Sequence, residues 1–68
     1  MKKIYIKDEY VTLGQFLKIA DIISTGGEAK IFLSSNTILI NNENDKRRGR
    51  KLYKGDNLEI LGVKYLIC

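Results

Sequence analysis

Sixty-eight residues suffice for one small domain, residues 1–68, which buries only about 60% of its unfolded surface and leaves no room for two lobes around a catalytic cleft. A hydrophobic fraction of 44% with 29% charged residues is that of a soluble globular chain, and a net charge of +4 suits a polyanionic partner. Histidine and tryptophan are absent and the sole cysteine, Cys68, stands last, which removes the usual neutral-pH base, an internal disulfide and a thiolate metal site. No catalytic residue, metal, cofactor or small-molecule substrate is therefore expected. The apolar stretches Leu13 to Ile23 and Leu58 to Cys68 are short and interrupted by charge, so no membrane contact is expected. Lys2-Lys3 is followed by no apolar signal core, and the expected location is the cytoplasm.

In chain order, Lys3-Ile4-Tyr5-Ile6 alternates β-branched and aromatic types and predicts a strand at a sheet edge. Thr12 and Gln15 stand three apart, the spacing of a capping box, and open a helix whose buried stripe is Leu13, Phe16, Leu17 and Ala20. Thr25 and Glu28 repeat the signal for a second helix, with Ala29, Phe32 and Leu33 as its stripe and an end near Asn36. The link between the helices is short, so Phe16, Leu17, Ala29 and Phe32 are the expected joint between them. Thr37 to Ile40 reads as a strand, and Asn41-Asn42 as a turn, because asparagine tolerates positive φ.

Lys54-Gly55-Asp56 predicts a further turn, Asn57-Leu58-Glu59-Ile60 a strand with one buried face, Gly62 another reversal, and Val63 to Ile67 a last strand pairing with the first. The sum is an α+β domain in which a pair of short helices packs on a small, mostly antiparallel sheet. Chemistry concentrates between the turns, where Lys46, Arg47, Arg48, Arg50 and Lys51 place five positive charges around Gly49. Arginine forks fit phosphate oxygens, and glycine lets a backbone approach or turn. Lys18 and Lys30 lie on the polar faces of the helices and join this run on one surface if the fold brings the helices and the loop together. Tyr53, just beyond it, is placed to stack on an unpaired base or to pack at the sheet edge.

Four stretches carry a family resemblance spanning about Thr12 to Ile60: Leu13-Gly14-Gln15-Phe16-Leu17-Lys18, Gly26-Gly27-Glu28-Ala29-Lys30, Ile38-Leu39-Ile40-Asn41 and Leu52 to Ile60 with its Gly55-Asp56 turn. In this order they resemble the αL-motif RNA-binding domain, named for the fourth protein of the small ribosomal subunit. Joined to Arg47-Arg48-Gly49-Arg50-Lys51, the glycine-led stretch resembles the family's small stand-alone bacterial members, the YaaA-like proteins. The resemblance implies an αL-type fold and a non-catalytic monomer that binds structured RNA, ribosomal RNA or a ribosomal subunit, with a role in ribosome maturation or translation. Two features depart from the family pattern. Asn42 replaces a hairpin glycine, and Gly26-Gly27 replaces paired arginines at the start of the second helix. These two glycines either expose amides to phosphate or simply shape the turn.

The residues implied in RNA binding are thus Lys18, Gly26, Gly27, Lys30, Lys46, Arg47, Arg48, Arg50, Lys51 and Tyr53. The alternative is a protein-interaction module whose basic loop docks an acidic partner, separable from RNA binding by the salt dependence of the RNA complex.

Overall fold

The computed structural model describes residues 1–68 and has the expected α+β architecture. Its elements are β1 (Lys2–Ile4), β2 (Tyr10–Thr12), α1 (Leu13–Ile19), α2 (Glu28–Ser35), β3 (Ile38–Ile40), β4 (Glu43–Asn44), β5 (Lys51–Tyr53), β6 (Asn57–Ile60) and β7 (Val63–Ile67). Five strands form one sheet in the order β1-β7-β6-β3-β4, in which only β1 and β7 run parallel. The first strand is at the edge and pairs with the last, as its sequence predicts. It is shorter than predicted, ending at Ile4, although the Ile6 amide still donates to the Cys68 carbonyl at 3.0 Å.

Two hairpins turn through paired positive-φ residues, Asn41 (52°) and Asn42 (70°) after β3, and Leu61 (52°) and Gly62 (77°) after β6. Positive φ at both central positions gives the turn twist that strand pairs prefer. Asn41 also ties its turn to the next one. Its side-chain amide donates to Asp56 Oδ1 at 3.2 Å and its Oδ1 accepts from the Asn57 amide at 3.0 Å, while Asp56 Oδ2 accepts from the Tyr53 amide at 2.8 Å.

The capping box at α1 is complete: the Thr12 amide donates to Gln15 Oε1 at 2.9 Å and the Gln15 amide to Thr12 Oγ1 at 3.2 Å. The far end closes on Asp21, whose φ of 61° lets the Asp21 and Ile22 amides return to the Lys18 and Leu17 carbonyls. Leu13, Phe16 and Leu17 lie fully buried against the sheet, with the Phe16 ring edge-on to Tyr65 at 5.3 Å.

At α2 the expected box is only half made. Glu28 reaches back to accept from the Ser24 and Thr25 amides at 3.3 and 3.1 Å, but the Thr25 hydroxyl donates to that same carboxylate instead of capping the helix. The chain enters α2 through a turn in which the Thr25 carbonyl, not its hydroxyl, accepts from the Glu28 amide. Ala29 and Leu33 are buried, whereas Phe32 is half-buried at the margin of the core. Three strands have no counterpart in the sequence reading: the short β4, and β2 and β5, which form a separate antiparallel ribbon with Val11 and Leu52 buried opposite each other.

Candidate nucleic-acid interface

The basic run is a shaped loop rather than a free tether. Its shape begins at Asp45, whose own amide donates to the Ile38 carbonyl at 3.0 Å and so fixes the carboxylate beside β3. The carboxylate accepts from the Arg47 amide at 2.9 Å, from Arg47 Nη2 at 2.8 Å and from Arg50 Nη1 at 2.8 Å. A turn follows, closed by the Arg50 amide on the Arg47 carbonyl at 3.1 Å, with Arg48 and Gly49 at its tip. Asp45 is 10% exposed and Arg50 27%, so this pair sits at the protein boundary while Arg47, at 74%, remains in water. Hydrogen bonds from the Arg47 side chain above all, aided by the Arg47 amide and Arg50 and opposed by burial, hold the Asp45 carboxyl far below the usual carboxylate range.

The loop is then fastened to α1. The Leu13 and Gly14 amides, first-turn donors without partners inside the helix, donate to the Arg50 and Arg48 carbonyls at 2.8 and 2.9 Å. Gly14 makes the approach possible, because a Cβ there would fall 2.7 Å from Arg48 Cγ. The stem of Arg48 therefore crosses the start of α1.

Two adjoining hollows share Arg48 as a wall. One, of about 420 Å³, is lined by Thr12, Gly14, Gln15, Lys18, Gly26, Ala29, Arg48 and Gly49. The other, of about 580 Å³, is lined by Lys30, Leu33, Ser34, Lys46 and Arg48. Of the residues singled out from the sequence, Lys18, Gly26 and Arg48 thus meet in the first hollow, and Lys30, Lys46 and Arg48 in the second.

The others lie elsewhere. Arg47 and Arg50 are engaged with Asp45, so the five charges of the run are not equally free. Lys51 and Tyr53 belong to the β2-β5 ribbon, where Lys51 Nζ stands 4.9 Å from the Tyr10 ring centroid and the Tyr10 and Tyr53 rings are 5.8 Å apart. Gly27 lines neither hollow, and Glu28 brings a carboxylate to the start of α2. Sequence reasoning passed over Asp45 and gave Gly14 no place at the site. Asp45 carried a usable signal, an aspartate two residues ahead of an amide it can cap; the contact at Gly14 spans distant parts of the chain and carried none. No helix is long and apolar enough to cross a membrane.

The family model described as S4 domain matches residues 4–68. The chain is 61% identical over 59 residues to the "Probable ribosome maturation protein RlbA" of Bacillus subtilis (strain 168), an alignment covering 87% of this chain and 83% of that protein. No solved structure matches it.

Proposed function

Because this chain belongs to the S4 domain family, we propose that it binds structured RNA, ribosomal RNA in particular, and takes part in ribosome maturation in the cytoplasm as a non-catalytic monomer. The observation that carries the reading is the pair of hollows sharing Arg48, where α1, α2 and the basic loop contribute Lys18, Lys30 and Lys46 to one continuous cationic surface. Cations fixed on a rigid frame follow a phosphate backbone, and each neutralised phosphate releases counterions. The relative's name supports the ribosomal target.

Within the proposed interface Lys18, Lys30, Lys46 and Arg48 contact phosphates. Gly26 and Gly27 offer unobstructed main chain, and the exposed Arg47 adds charge. Arg50 sets the loop's shape. Lys51 and Tyr53 extend the surface along the ribbon, where the exposed Tyr53 ring offers a stacking face. Base-reading side chains are scarce along the hollows, so shape and 2′-hydroxyl contacts do the selecting.

The test is a salt titration of binding to purified bacterial ribosomal RNA, wild type beside the variant Lys18→Ala, Lys30→Ala, Arg48→Ala. Each lost phosphate contact is expected to remove about 0.7 to 0.9 from the slope of log affinity against log salt. An unchanged slope, or wild-type protein that binds an acidic polypeptide in preference to RNA, would overturn the reading.

A further inference from the structure

Glycine has two common structural uses, to hold a positive φ or to let something come closer than a Cβ allows. Three of the six glycines are explained inside the chain: Gly55 and Gly62 have φ of 98° and 77°, and Gly14 makes room for the Arg48 stem. Gly26, Gly27 and Gly49 are not. None has a positive φ, a Cβ at Gly26 or Gly49 would meet nothing within 4 Å, and one at Gly27 would meet only Thr25 Oγ1 at 4.0 Å. Each could be alanine in the isolated protein, and alanine would lower the entropy of the unfolded chain.

Gly26 and Gly49 come from separate segments, the link ahead of α2 and the tip of the basic loop, yet both line the hollow that holds Lys18 and Arg48. Ala29 is the only hydrophobic residue in that lining. The Thr12 and Gln15 side chains there are already bonded to each other's amides, and the Gly26 amide has no acceptor within the chain. What remains for a ligand is two cations, bare main chain and the aliphatic stems of the lining side chains. Such a lining suits a sugar–phosphate backbone, whose charge meets the cations and whose sugar rests on the carbon surface, and it offers few hydrogen-bonding groups to a base edge.

We infer that the hollow between Gly26 and Gly49 seats the sugar–phosphate backbone of the RNA against the protein main chain, with Lys18 and Arg48 on the phosphate oxygens. The seat rests on the proposed RNA-binding function and adds to it a place where side-chain bulk, not charge, controls affinity. Adding methyl groups therefore has opposite effects on fold and binding: the free protein is unharmed and the complex is obstructed.

The experiment compares wild type, Gly26→Ala, Gly49→Ala, the double variant and Gly26→Leu in filter binding to purified bacterial ribosomal RNA, with thermal melting of each protein alone. The alanine variants should melt at or above the wild-type temperature. The double variant should bind about tenfold more weakly, the loss that one obstructed charge-assisted hydrogen bond produces, and Gly26→Leu more weakly than Gly26→Ala. Wild-type affinity in the double variant and in Gly26→Leu, while Lys18→Ala still weakens binding, would overturn the seat and leave the RNA-binding function standing. Alanine variants that melt below the wild type would overturn the premise that the space is open. Wild-type protein without affinity for ribosomal RNA would defeat the function itself.

Discussion

Asp45 holds two arginines with one carboxylate, and its removal separates positioning from charge. Net charge alone says that Asp45→Asn, which makes a basic protein more basic, should tighten its grip on RNA. The hydrogen bonds say otherwise. Without the carboxylate, Arg50 loses its partner at a part-buried position, and the turn that presents Arg48 over α1 loses its anchor. Asp45→Asn is expected to weaken binding to ribosomal RNA despite the added charge and to cost about 1–3 kcal/mol of stability. Most of that belongs to Arg50, because the Arg47 pair is screened by water. Tighter binding in the variant would show that the loop acts only as charge. The pH response follows from the depressed carboxyl: its stabilisation is complete above the unfolded value of about 3.9 and is lost as pH falls toward the lower folded value, so the loop stays paired in mild acid. An NMR titration midpoint for Asp45 at or above about 3.9 would show the pairs to be open in solution.

Among the elements, those fixed by neighbours in sequence were legible, whereas of those fixed by distant partners the β1-β7 pairing was expected and the β2-β5 ribbon was not. The Thr12–Gln15 box, the Asn41-Asn42 turn and the alternation of β6 depend on spacing alone, and each stands where the sequence predicts it. The β2-β5 ribbon depends on pairing Tyr10 with Tyr53 across most of the chain, and its residues were already claimed by a helix cap and a charge run. The start of α2 was read with the right residues in exchanged roles. Glu28 is the acceptor for two amides and a hydroxyl, so Glu28→Ala should cost about 1 kcal/mol and Thr25→Ala only a few tenths. Leu17→Ala, emptying a fully buried site under α1, should cost about 2–5 kcal/mol. Urea denaturation of the three variants tests the order. Thr25→Ala as costly as Glu28→Ala would restore the hydroxyl as the cap, and Leu17→Ala no worse than either would place α1 wrongly.

At the scale of the whole molecule, the gathering of Lys18, Lys30, Lys46 and Arg48 was expected because the chain resembles an RNA-binding family; composition gave only a surplus of charge. What the sequence hid was how that surplus is divided. Asp45 engages part of it, and the contact at Gly14 holds Arg48 where the hollows meet. On the proposed function, a frame of 26 × 22 × 17 Å that carries these cations on one face would match phosphates at a particular spacing. It should therefore prefer folded RNA to duplex DNA of equal length and charge, whose phosphates follow a different helical geometry and which lacks 2′-hydroxyls. In a cell lysate the protein should travel with a ribosomal subunit or its precursor at low salt and leave it at high salt, since counterion release weakens steeply as salt rises. The variant Lys18→Ala, Lys30→Ala, Arg48→Ala should remain in the light fractions at both salts. Wild-type protein found only in light fractions at low salt, together with equal affinity for DNA and RNA in vitro, would mean that the surface is tuned to charge alone and that its partner lies outside the ribosome.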